Sequence, residues 1–127
     1  MITRYASGKR MSLAVSYGAV FETAGVVADD TREDVRGQLR QVLATLDALM
    51  VEAAVGKERL TRVQIWIANY DDFDQVNEIY DAWLQGYPKP ARACVGTDLG
   101  EGYLVEVQVF AVREGATDDR GLVSAGR

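Results

Sequence analysis

Arg92, Cys94 and Glu106 are the residues whose types and placement could do chemistry in this chain. Arg92 follows Pro90 in a run of small residues, with Ala91 and Ala93 on either side leaving room around the guanidinium. Its planar fork matches a carboxylate with two parallel hydrogen bonds. The competing reading is a structural ion pair with one of the 19 acidic side chains. Strand periodicity puts Arg92 on the same face as Cys94. With no histidine in the chain to activate it, Cys94 is expected to be a small buried residue rather than a nucleophile. Glu106 stands among valines, on the strand face that also carries Leu104 and Phe110. A carboxylate in partly apolar surroundings is suited to taking and giving protons near neutrality; pairing across an edge or interface is the alternative. The acidic run Asp71, Asp72 and Asp74 lacks the spacing of a calcium loop and reads as helix capping.

The absence of histidine also removes Ser-His-Asp and Cys-His machinery and the common zinc sites. Chemistry is left to carboxylates, arginine, backbone groups and water, with no metal or organic cofactor expected. The 127 residues fit one domain, and 48% hydrophobic against 26% charged residues is an ordinary globular balance. A formal net charge of −5 argues against a dedicated nucleic-acid binder, which needs a basic stripe to displace counterions. One arginine in a cleft can still bind a small carboxylate. A single cysteine allows no intrachain disulfide, and the start is not leader-like, so the cytoplasm is the expected compartment. No apolar run approaches the roughly 20 residues needed to span a bilayer.

The elements that must position these residues follow from periodicity and turn signals. Leu13 to Ser16 and Ala19 to Thr23 form a predicted hairpin around Tyr17-Gly18. Thr31, with Asp34 three residues on, resembles a capping box ahead of a helix. Its apolar stripe is Val35, Leu39, Val42, Leu43, Leu46, Leu49, Met50 and Ala53, and it should stop near Val55-Gly56. A strand follows over Leu60 to Asn69, with Val63, Ile65 and Ile67 on one face. Asp71 and Asp74 open a second helix that buries Phe73, Val76, Tyr80, Trp83 and Leu84. Gly86, Pro88 and Pro90 lead into a strand at Ala91 to Thr97, and Tyr103 to Val112 is the last strand. The domain is expected over 1–114, with a flexible tail over 115–127.

The predicted order is β-β-α-β-α-β-β, an α+β fold with a single mixed β-sheet and two helices packed on one face. In the last strand Tyr103, Val105, Val107, Val109 and Ala111 share one face. The other face carries Leu104, Glu106, Gln108, Phe110 and Val112, to which Leu60, Trp66 and Ala68 add. Two helices cannot cover both faces, so this half-apolar surface predicts burial against another copy of the chain.

The segment Pro90-Ala91-Arg92-Ala93-Cys94-Val95 resembles the signature of the reactive-intermediate deaminase (Rid, or YjgF-like) family. Asp72-Phe73 and Val76-Asn77-Glu78-Ile79-Tyr80 are similar to that family's D-F-x-x-V-N-x-x-Y helix. Thr23-Ala24-Gly25-Val26 resembles its T-S-G-Q strand end, and Leu104 to Val112 its terminal I-E-I-E-A-I-A-V strand. The resemblance covers residues 12–113. It implies a homotrimer, built as a chorismate-mutase-like barrel, with clefts between subunits. It further implies hydrolysis of 2-imino acids, reached from enamines, to 2-oxo acids and ammonia. Arg92 matches the arginine that clamps the substrate carboxylate, and Glu106 the acidic residue associated with the attacking water. Cys94 matches a cysteine lining the pocket, and Gly25 the glycine of the T-S-G-Q segment.

The chain departs from the family pattern at several of these positions. Where members often read G-P-Y-S-x-A-V, it has Lys9-Arg10-Met11-Ser12-Leu13-Ala14-Val15. Met11 thus replaces a pocket tyrosine, and Arg10 adds a cation. Val26 replaces a glutamine, Gln108 replaces a second glutamate, and the 97–103 turn is one residue shorter. These departures imply a divergent subgroup. The functional expectation is a deaminase acting on small imino acids. The alternative is a non-catalytic trimer that binds a small carboxylate metabolite as a sensor or regulatory protein.

Overall fold

The computed structural model describes residues 1–113; the expected tail lies outside the described residues. Six strands form one mixed sheet, β1 (Ile2–Ser7), β2 (Ser12–Tyr17), β3 (Val20–Thr23), β4 (Leu60–Ile67), β5 (Ala91–Gly96) and β6 (Val105–Val112). Their spatial order is β1-β2-β3-β6-β4-β5. Only the β4–β5 pair is parallel, and α2 (Phe73–Trp83) crosses between them, as a parallel connection requires. Helix α1 (Val35–Glu52) links β3 to β4. Tyr17 pairs with Val20 across a tight turn in which Gly18 takes φ +54°.

The predicted α1 stripe is buried in full. Val76, Ile79 and Tyr80 carry the buried face of α2 with Leu84 just past its end, whereas Phe73 and Trp83, expected on that face, are only partly buried because they lie at its edges. Both helices cover the sheet face formed by Phe21, Val63, Ile65, Ile67, Val105, Val107 and Val109, each fully buried. Arg36 joins the helices, donating to Gln75 and pairing with Glu78 at 2.9 Å, and the Trp83 indole donates to Asp47. Among the described residues no helix is long and apolar enough to cross a membrane.

Four further details differ from expectation. The sheet has an additional N-terminal strand, β1, in which only Tyr5 is buried. An edge strand that buries one side chain leaves no two-residue alternation to detect. Asp34, not Thr31, caps α1: its carboxylate accepts from the Gly37 amide at 2.9 Å. The helix also ends earlier, at Glu52, where Ala54 turns to φ +59°. Finally, Leu60 belongs to the helix-covered face, because an irregularity between Leu60 and Arg62 breaks the period of two.

Among the described residues no helix lies over the second sheet face. Val15, Glu22, Phe110, Arg62 and Ala91 lie in one row across it, and Trp66 is flanked by Glu106 and Val95. Tyr17, Val20, Val95 and Val112 each expose more than a third of their surface there. Burying the part of such side chains still exposed is worth about 0.5–1 kcal/mol apiece, which favours a partner on this face.

Candidate functional site

Arg92 pairs in register with Val63, and Cys94 with Ile65, so both face the helices. Helix α2 builds a seat for the arginine. Arg92 Nη1 donates to Asn77 Oδ1 at 2.7 Å, and the guanidinium carbon lies 4.8 Å from the Tyr80 ring centre and 5.7 Å from that of Phe73. Aromatic faces attract a cation without consuming its hydrogen-bond donors. Among the described residues Asn77 is the sole hydrogen-bond partner and no carboxylate pairs with Arg92. The structural ion pair is therefore not formed, and the Nε/Nη2 edge remains open to a planar anion.

Cys94 is partly buried and packs against the core. Burial pushes its thiol up, with the Arg92 charge opposing. The group is a protonated thiol at neutral pH, in keeping with a lining residue rather than a nucleophile.

Glu106 pairs with Trp66 and faces the uncovered side of the sheet, half-buried. Its setting is made by a bulge in the neighbouring chain. Glu22 aligns with Phe110, but Val26 aligns with Val107, so one extra residue is accommodated between them. Side chains complete the interrupted ladder. Gln108 Nε2 donates to the Thr23 carbonyl at 2.9 Å, and the Val109 amide donates to Thr23 Oγ1 at 3.0 Å. Gln108, where the family carries glutamate, thus supplies a donor that a carboxylate would lack.

The bulge presses Gly25 against Glu106, and a Cβ at Gly25 would collide with Glu106 Oε2. The glycine leaves room for this close approach. Gly25→Ala is expected to rotate the flexible end of Glu106 away with little loss of stability. A crystal structure and a melting curve of the variant check this, and an unmoved Glu106 would contradict it. Among the described residues Glu106 has no hydrogen-bond or ion-pair partner.

Met11 is half exposed at the entry to β2. The Ala24 amide donates to the Leu13 carbonyl, so Ser12 and Met11 run on past the bulge that holds Gly25. Gly25, Glu106 and Met11 therefore form one neighbourhood. Arg92 and Cys94 belong to another, on the opposite sheet face. Two strand spacings across and three residues along separate Glu106 from Arg92, about 14 Å between backbones. The α2 seat of Arg92 escaped the residue-by-residue reading. Its signal was present in the spacing of Phe73, Asn77 and Tyr80, which puts all three on one helix face.

Three kinds of likeness bear on this fold and site. A RutC family protein of Haemophilus ducreyi is 29% identical over 112 residues, covering 87% of this chain and 96% of that one. An uncharacterized protein from Pseudomonas aeruginosa has a solved structure that superposes with a TM-score of 0.84 at 30% identity. The match covers 90% of this chain and 100% of that one. A YjgF family member from Neisseria meningitidis gives 0.82 at 25% identity, covering 90% and 96%. The chain belongs to the Rid, or YjgF, family, whose pattern, described as Endoribonuclease L-PSP, matches residues 1–113.

Proposed function

We propose that the protein hydrolyses 2-imino acids to 2-oxo acids and ammonia, in clefts that form only between copies of a homotrimer. The observation that carries this reading is a pair of groups with capacity to spare among the described residues: the open edge of Arg92 and the carboxylate of Glu106, which has no partner there. They stand on opposite faces of one sheet, so one small ligand reaches both only if a neighbouring copy brings its Arg92 to this copy's Glu106. The uncovered, half-apolar sheet face supplies the contact for that assembly.

In the cleft, Arg92 holds the substrate carboxylate and fixes the adjacent C2 carbon near Glu106. The protonated imine is already electrophilic, so orientation, one water and a proton path suffice. Glu106 takes a proton from water as its oxygen bonds to C2 and the C=N electrons move to nitrogen. The proton then passes to that nitrogen, and Glu106 takes the hydroxyl proton as the carbonyl forms, the C–N bond breaks and ammonia leaves, carrying that proton off as ammonium. The sum is protonated imino acid plus water giving oxo acid plus ammonium. Burial keeps Cys94 out of these steps.

A net charge of −5 and the lack of histidine weigh against nucleic-acid cleavage, despite the description attached to the family. The test is release of ammonia and oxo acid from freshly generated 2-aminoacrylate and from bulkier imino acids. Turnover above the uncatalysed rate supports the deaminase. Carboxylate binding without turnover would leave the non-catalytic binder.

A further inference from the structure

The hairpin turn between β1 and β2 carries Lys9 and Arg10, and nothing described so far uses them. The turn is well defined: the Gly8 amide donates to the Met11 carbonyl at 2.8 Å, and the Ser7 and Ser12 hydroxyls bond at 2.8 Å. It holds two adjacent exposed cations on a chain of net charge −5. The ion pairs among the described residues, Arg32 with Asp30 and Arg36 with Glu78, lie elsewhere and leave both cations without a carboxylate. Like charges placed side by side repel, and an anion bound from outside the chain would relieve that repulsion.

The position of the turn says which anion. Ser12 runs beside the bulge that presses Gly25 onto Glu106, and Arg10 lies two residues further on, in the turn and no more than about 7 Å from Ser12. Between them stands Met11, half exposed and unbranched, a surface for methylene groups. Carboxylate, thioether and cation thus follow one another along a line leading away from the reacting centre.

We infer that Arg10, with Lys9 beside it, is a second anion subsite, and that the substrates are 2-imino acids bearing another negative group at the far end of the side chain. This rests on the deaminase reading for the reaction, but not for the binding preference. The α-carboxylate sits at the Arg92 fork, C2 at Glu106, the side-chain methylenes along Met11 and the distal carboxylate at Arg10. A four- or five-carbon dicarboxylic skeleton spans that line.

A matched pair of probes tests it: 2-oxoglutarate and 2-oxopentanoate, equal in length and differing only in the distal carboxylate. Calorimetry on the assembled protein should show 2-oxoglutarate binding roughly tenfold or more tightly, the scale of one charged hydrogen bond. Arg10→Ala should bring the affinity ratio near one. Arg40→Ala, which removes the same charge from α1, should leave the ratio as it was. Equal affinities in the unmodified protein, or a ratio that survives Arg10→Ala, would overturn the subsite. Imine hydrolysis is measured on the same preparation. A retained dicarboxylate preference without turnover would uphold the subsite and sink the deaminase, whereas turnover without the preference would do the reverse.

Discussion

Arg92→Ala is expected to weaken binding of small carboxylates by roughly 2–5 kcal/mol, the usual loss when one partner of a close charged contact in a cleft is removed. The fold should survive, because among the described residues Arg92 is in no ion pair and gives up only its bond to Asn77 and its contacts with Tyr80 and Phe73. Those contacts are worth about 0.5–2 kcal/mol together. Arg92→Lys separates charge from shape. It keeps the cation but loses the planar fork, so it should recover only part of the affinity. Calorimetric titration of a 2-oxo acid into each folded variant reads the difference. Unchanged affinity in Arg92→Ala would assign the arginine to packing against α2 alone.

Glu106→Gln should lower turnover by about 10²–10⁴-fold, the worth of a positioned general base. The substitution keeps the size of the side chain and its fit against Gly25, and removes only the group that accepts the proton. Binding of a 2-oxo acid, which depends on Arg92, should persist. If Glu106 instead pairs across the interface, the same change weakens assembly and spares the rate per assembled molecule. Measuring rate and assembly on one preparation separates the two, and full activity with normal assembly would remove the catalytic role.

The parts legible in the sequence were those governed by local period. The alternation of β6 gave both of its faces, and the spacing of the α1 apolar residues gave its buried stripe in full. Periodicity also put Arg92 and Cys94 together, but it cannot say which face meets the helices. That was decided by the pairing of β5 beside β4, which aligns Arg92 with the buried Val63. Strand β1 offers no pattern because it buries a single tyrosine, and the count that places Leu60 on the uncovered face fails because an irregularity between Leu60 and Arg62 resets it. The fit of Gly25 under Glu106 joins residues far apart in the chain through a bulge, a feature with no local signature. The long-range contacts that build the site were therefore the part the residue pattern left out. The family resemblance supplied the identities of the residues without their geometry.

The central claim is that each site takes Arg92 from one copy and Glu106 from another. It is tested by mixing Arg92→Ala and Glu106→Gln proteins, each nearly inactive alone, and letting their subunits exchange. In a closed ring of three, every mixed trimer has one interface where an intact Arg92 meets an intact Glu106. Random exchange of equal amounts makes three-quarters of the trimers mixed, so about a quarter of the unmodified activity should return. If both residues served one site from the same chain, no mixed trimer would hold an intact site. Activity would then stay at the level of the separate variants, which would contradict the account.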